Sequence, residues 1–265
     1  MGRRIMITSG KGGVGKTTIT ALLGVALAAN KASVVVVDAD MGLSNLDTLM
    51  NVQSKVVFDL SDLINRKCRI KQALIQDKYY DNLFTIASTK CSIGDELKDA
   101  NRLEEITAKL ATVFDFVLID SPAGAGSGFL SCLSASDEAI VIVTPHTSSI
   151  RDADKIISVI LSSQNYKPMV LINRIRGDLV MCGDMLSHED ISALLPVPIV
   201  GIIPESDDIS VYSSIDIKKI RNNECNESFS LLACNLIKSK SRLYDYKRKY
   251  KGVLGMIRRK LKKAI

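Results

Sequence analysis

Gly10-Lys11-Gly12-Gly13-Val14-Gly15-Lys16-Thr17 fits the pattern G-x-x-x-x-G-K-[ST] of a phosphate-binding loop. What flanks it decides the fold. Arg4-Ile5-Met6-Ile7-Thr8 reads as a short apolar strand, and Thr18 to Ala29 as an apolar-rich helix. Glycines let successive backbone N–H groups turn inward around phosphate oxygens. The helix that follows aims its positive end at the same anion. Lys16 then neutralises the outer phosphates, and the Thr17 hydroxyl is placed to ligate Mg²⁺. A glycine-rich turn without a ligand is the rival reading, and it needs neither the strand nor the helix.

Two further strands end in acids. Ser33-Val34-Val35-Val36-Val37-Asp38 is β-branched and apolar on both faces, as a buried parallel strand is, and runs into Ala39-Asp40. Phe114-Asp115-Phe116-Val117-Leu118-Ile119-Asp120 repeats the arrangement. Ligands of open α/β sheets gather at the carboxyl ends of strands. Asp120 is therefore expected to hold Mg²⁺ through a water, with Asp38 in the same metal shell; helix capping is the alternative for Asp38 and Asp40. Strands at 82–87, 138–145, 168–174 and 197–205 alternate with helices at 59–64, 103–111, 148–161 and 228–239, the last preceded by a polar turn over 222–227. The alternation predicts an α/β fold: a doubly wound, mostly parallel sheet with helices on both faces.

The chain has 265 residues, 46% hydrophobic, and a net charge of +6. That average hides an asymmetry. Residues 238–265 hold 12 basic groups and one acid, leaving 23 basic and 28 acidic residues in the remainder. We divide the chain into a body (1–240), a basic linker (241–252) and a terminal helix (253–265). At about 100° per residue, Val253, Leu254, Ile257 and Leu261 fall in one stripe and Arg258, Arg259, Lys262 and Lys263 on the opposite face. An apolar stripe with a basic face suits the headgroup plane of an anionic membrane, which Val253, Leu254, Ile257, Arg258, Leu261 and Lys262 are expected to contact. Lys247, Arg248, Lys249 and Lys251 are expected to add about 1 kcal/mol each near such a surface. A DNA-binding arm would not need the ordered stripe. No apolar run is long enough to span a bilayer. The six cysteines form no C-x-x-C pair and read as reduced thiols.

Lys11 is not required by the general loop pattern. With Gly12 to Thr17 it resembles the deviant Walker A loop of the MinD/ParA family of ATPases. The run Asp38-Ala39-Asp40-Met41-Gly42-Leu43-Ser44-Asn45-Leu46-Asp47 is similar to the family's first switch, and Asp120-Ser121-Pro122-Ala123-Gly124 to its second. Gly183-Asp184-Met185-Leu186-Ser187 resembles the septum-site members rather than the DNA-partitioning ones. The resemblance covers nearly the whole chain and is weakest over 205–250.

It implies a Mg²⁺-dependent ATPase that dimerises on ATP. In it Lys11, Lys16 and Asp40 act in hydrolysis, Lys11 reaching across to the partner's nucleotide and Asp40 positioning the attacking water. Gly10, Lys11, Gly12, Gly13, Val14, Gly15, Lys16, Thr17 and Thr18 hold the phosphates, while Asn173 and Pro204 flank the adenine. The partners implied are a second copy, anionic lipids, a MinC-type division inhibitor, and MinE or another topological factor, with no specific nucleic acid. The implied location is cytoplasmic and peripheral on the inner face of the cell membrane. A ParA-like partitioning ATPase or a flagellar-number regulator is the alternative within the family. A nitrogenase-type iron protein would need glycine-rich cysteine motifs, which Cys91 and Cys132 lack.

Overall fold

The site is carried by the middle of an eight-stranded sheet. The computed structural model describes residues 1–40, 45–88, 100–163, 166, 168–206 and 224–251. The strands are β1 (Arg3–Thr8), β2 (Val34–Asp38), β3 (Ile75–Gln76), β4 (Leu83–Ile86), β5 (Phe116–Asp120), β6 (Glu138–Val143), β7 (Met169–Ile175) and β8 (Ile199–Pro204). Their order across the sheet is β3-β4-β2-β5-β1-β6-β7-β8. All pairings are parallel except β3 with β4. The sequence pattern missed β3, because two residues are too few to show a period.

Alternation along each strand feeds two cores. Ile5, Ile7, Val34, Val36, Leu118, Ile140 and Ile142 face one layer, with α1 (Lys16–Ala29) and the C-terminal helix α10 (Glu224–Lys238). Met6, Val35, Val37, Val117, Ile119, Val141 and Val143 face the other. That layer includes α5 (Ala100–Leu110), α6 (Ser127–Ser134) and α7 (Thr147–Ser163). Gly24 brings α1 close to the sheet: a Cβ there would lie 2.7 Å from Val36 Cγ2. Short helices α2 (Leu46–Leu49), α3 (Leu60–Ile64), α4 (Ile70–Ala73), α8 (Gly177–Cys182) and α9 (His188–Leu194) fill the connections. Asp59 and Asp62 close a capping box on α3, as Ser187 and Asp190 do on α9.

Helix α10 starts at Glu224, four residues before the expected start. The stretch read as a polar turn puts Glu224 and Glu227 in the first helical turn, where acids favour the dipole. Beyond α10 the chain reverses at Ser239 (φ 49°). Residues 240–251, which include most of the stretch 241–252 expected as a linker, lie as a strap on the body, with Tyr244, Tyr246 and Tyr250 buried. Asn235 fastens its start: Nδ2 donates to the Val200 and Arg242 carbonyls, and Oδ1 accepts from Arg242 N. Tyr246 Oη lies 3.0 Å from His188 Nδ1. Lys247 pairs with Glu189, Arg248 with Glu227, Lys249 with Glu224 and Lys251 with Asp245. The four cations assigned to membrane attraction are thus already paired with carboxylates. The membrane residues themselves (Val253, Leu254, Ile257, Arg258, Leu261 and Lys262) lie outside the described residues, as do 41–44 of the first switch and Cys91. No helix among the described residues is long and apolar enough to cross a membrane.

Candidate nucleotide site

The loop leaves β1 and enters α1 through Gly15, whose φ of 95° lies in the left-handed region. A Cβ at Gly15 would sit 2.7 Å from Asn173 Nδ2. Gly10 is as confined on the other side, where a Cβ would lie 2.3 Å from the Asp152 carbonyl oxygen of α7. The loop is therefore clamped between β7 and α7 at the two glycines, while Gly12 and Gly13 between them are exposed.

Lys16 is buried at the start of α1 and Lys11 is exposed. Lys11 Nζ donates to Ser148 Oγ, 3.2 Å away near the start of α7. Within one chain the two lysines thus occupy different surroundings. Sequence reasoning had no signal for Ser148.

Asp38 and Asp120 are partners in the β2–β5 register, so both carboxyl groups end on adjacent strands. Asp38 Oδ1 accepts from Asp40 N at 3.1 Å, turning the chain just past β2. The Ala39 N–H donates to the Asp120 carbonyl, tying the two strand ends. Gly124 N donates to Ser9 O and Ser121 N to Ile7 O, so the segment after β5 is fixed to the segment before the loop.

Asp120 is wholly buried, and burial pushes its carboxyl up to about 6. Thr17, Lys16 and Thr20 act in the opposite direction, and Asp40 adds to the rise. The Thr20 hydroxyl lies 2.9 Å from the Lys16 carbonyl oxygen and 3.2 Å from Asp120 Oδ1. It bridges helix to strand, a role that sequence reasoning missed. Asp120 Oδ2 is buried with no hydrogen-bond partner among the described residues. An acceptor left over beside a buried lysine and a threonine hydroxyl is what a magnesium ion with a water shell needs, so the residues fit that ion. No group of three or more His, Cys, Asp or Glu that could hold a metal occurs among the described residues. Cys132 is buried in α6, and burial first, then the nearby carboxylates, push its thiol up; this is a neutral core thiol.

Asn173 and Pro204 stand at the ends of β7 and β8. Asn173 Nδ2 donates to Val14 O at 2.8 Å, and Oδ1 accepts from Arg174 N at 2.9 Å. Its side chain therefore supports the loop backbone directly. Pro204 is buried and lines a cavity at the end of β8.

The site has counterparts in known proteins. Residues 5–214 match the CobQ/CobB/MinD/ParA nucleotide binding domain. A septum site-determining protein MinD of Synechocystis is 39% identical over 214 residues, 81% of this chain and 80% of that protein. Among solved structures, the MinC:MinD cell division protein complex of Aquifex aeolicus superposes with a TM-score of 0.83 at 34% identity, covering 92% of this chain and 99% of that one. MinD of Pyrococcus horikoshii, complexed with Mg-ADP, gives 0.79 at 26% identity, covering 90% and 97%.

Proposed function

The chain belongs to the septum site-determining MinD proteins of the CobQ/CobB/MinD/ParA nucleotide-binding family, and from that premise we propose that it is an ATPase that switches between a membrane-bound dimer and a free form. The observation that supports it best is the contrast between buried Lys16 and exposed Lys11 in one loop.

In this reading the loop amides and Lys16 hold the β- and γ-phosphates of ATP, and Thr18 follows on the first turn. Thr17, Asp38 and Asp120 hold Mg²⁺, which when bound neutralises phosphate charge. Asp40 orients a water toward the γ-phosphorus. Attack there breaks the bond to the β,γ-bridging oxygen and yields ADP and inorganic phosphate. In this role a carboxylate works by positioning rather than by strong proton abstraction. Lys11 enters the partner subunit's site and stabilises the charge that develops, as an arginine finger does. Asn173 and Pro204 flank the base.

ATP favours the dimer, the dimer presents two terminal helices, and two weak helices on one particle bind far better than one through effective concentration. Hydrolysis releases both. On the membrane the dimer recruits a MinC-type inhibitor, a partner supported by the Aquifex aeolicus complex, and so keeps septa from wrong sites. MinE or another topological factor sets where this happens.

The test is sedimentation with anionic liposomes, with ADP or a non-hydrolysable ATP analogue, for the full chain and for one ending before Val253. Pelleting is expected only with the analogue and only with the tail. Pelleting independent of nucleotide would sink the dimer coupling. No pelleting, with ATP-dependent retention on DNA, would replace this reading by a ParA-like one.

A further inference from the structure

The loop leaves one feature of the sheet unused. A cavity of about 370 Å³ opens at the carboxyl ends of β7 and β8. Beside it the β7–β8 ladder shifts register between Ile172 and Ile175, and Arg174 takes a left-handed φ of 59°. The body side of the cavity includes Arg176, Pro204 and Glu224, and the strap contributes Tyr246, Lys249 and Tyr250.

We propose that Tyr250 and Lys249 are binding residues for the nucleobase, so that a nucleotide held by the loop also touches the C-terminal strap. The inference rests on the nucleotide reading above and adds to it a wall supplied by a part of the chain far from every motif.

Four observations support it. The cavity lies on the sheet end where ligands of open α/β sheets sit. Asn173, two residues before Ile175, donates to Val14 of the loop, so phosphate loop and cavity share one strand end. The volume is at the low end of the roughly 300–1,000 Å³ of small-molecule sites, which suits the base end of a nucleotide rather than the whole. Finally, the wall is built to a fixed shape. Gly177 admits the strap so closely that a Cβ there would lie 2.2 Å from Tyr246 O and 2.9 Å from Tyr250 Cδ2. Lys249 Nζ lies 2.6 Å from Glu224 Oε2 and 5.4 Å from the Tyr250 ring centroid, and Arg176 pairs with Asp178 at 2.6 Å. An aromatic ring in a frame of paired charges is suited to a flat heterocycle with polar edges.

The strap continues directly into residues 252–265. Contact between base and strap therefore gives the nucleotide a direct hold on the segment that leads to the amphipathic end.

The experiment is calorimetric titration of Mg-ADP and of Mg-tripolyphosphate, which has no base, into the full chain and its Tyr250→Ala, Tyr250→Phe and Arg248→Ala variants. Tyr250→Ala is expected to weaken ADP about tenfold, the scale of one base–aromatic contact, and to leave tripolyphosphate within twofold. Tyr250→Phe keeps the ring and should bind ADP as the parent does. Arg248→Ala, which loses a pair with Glu227 outside the cavity, should do the same. In parallel, ADP but not tripolyphosphate should slow tryptic cleavage after Lys249 and Lys251 of the parent. A folded Tyr250→Ala chain with parental ADP affinity overturns the inference. So does ADP that gives no protection, and this arm decides the matter should Tyr250→Ala fail to fold. A parent chain that binds neither ligand overturns the nucleotide reading itself, and the inference with it.

Discussion

The candidate phosphate site takes most of its residues from one run, Gly10 to Thr20, and its three carboxylates, Asp38, Asp40 and Asp120, from the ends of two strands that flank one another. The strap over 240–251 is assembled differently. Its partners on the body lie 7 to 73 positions earlier in the chain, on α8, α9 and α10. One region is local, glycine-rich and constrained by backbone geometry. The other is long-range and held by tyrosine burial and amide hydrogen bonds. The difference decides which changes each region tolerates: the loop is vulnerable to a Cβ at Gly10 or Gly15, whereas the strap is vulnerable to the loss of a buried anchor or to a Cβ at Gly177.

The sharpest way to break the comparison is Gly15→Ala. The residue has φ 95°, and its new methyl group would meet Asn173 Nδ2 at 2.7 Å. Both strain and clash fall on the loop, at about 1–3 kcal/mol for the backbone alone. Nucleotide affinity should fall at least 100-fold by calorimetry, with a much smaller loss in unfolding free energy. A Gly15→Ala chain with affinity within fivefold of the parent would show that the loop is not geometrically tight.

Next in size is Asp120→Asn. The buried carboxyl titrates at about 6, above its ordinary 3.8. The folded state therefore holds this proton more tightly than the unfolded state. Between pH 6 and 4 the protein gains stability as pH falls, and above 6 the full cost remains. Two pH units correspond to about 3 kcal/mol at neutral pH as an upper figure. The asparagine variant should be more stable than the parent in the nucleotide-free state at pH 7, by about 1–3 kcal/mol in urea, and should lose that pH slope. It should also lose Mg²⁺-dependent hydrolysis. A variant less stable than the parent at pH 7 would mean that Asp120 is not a stability cost held for function.

Much of the loop end was legible in the sequence, because a phosphate loop depends on residues adjacent in the chain. The positions of seven strands, the acids that close β2 and β5, and the mostly parallel sheet followed from short patterns, while the order of the strands did not. Thr20 was not legible, since one threonine in an apolar helix has no periodic signature and its meaning comes from Asp120, a hundred positions away. Asn173 was legible only through the family, and its hydrogen bond to Val14 was not. The packing of the strap was not legible, for a physical reason. Twelve cations in 28 residues look like a solvated charge run, while what places the strap is three tyrosines spaced among them and a glycine at 177 that accepts their close approach.

The smallest effect tests which force holds the strap. Lys247, Arg248, Lys249 and Lys251 form ion pairs with at least one partner widely exposed, and such pairs contribute about 0–1 kcal/mol each. Asn235 is buried, and its amide makes three bonds that join α10 to β8 and to the start of the strap. Asn235→Ala leaves buried carbonyl and N–H groups without partners, a loss of about 1–3 kcal/mol. It should lower the melting temperature by a few degrees and raise the rate of tryptic cleavage within 240–251 several-fold. At 1 M salt the screening length is about 3 Å, so the ion pairs weaken while the amide bonds and tyrosine packing do not. The parent strap should therefore stay protected in high salt, and the Asn235→Ala strap should be cut at both salt levels. If salt alone exposes the parent strap and Asn235→Ala does not, charge holds it. An anionic surface would then compete for the same four cations, and the division between a locally built loop and a strap anchored by burial would no longer stand.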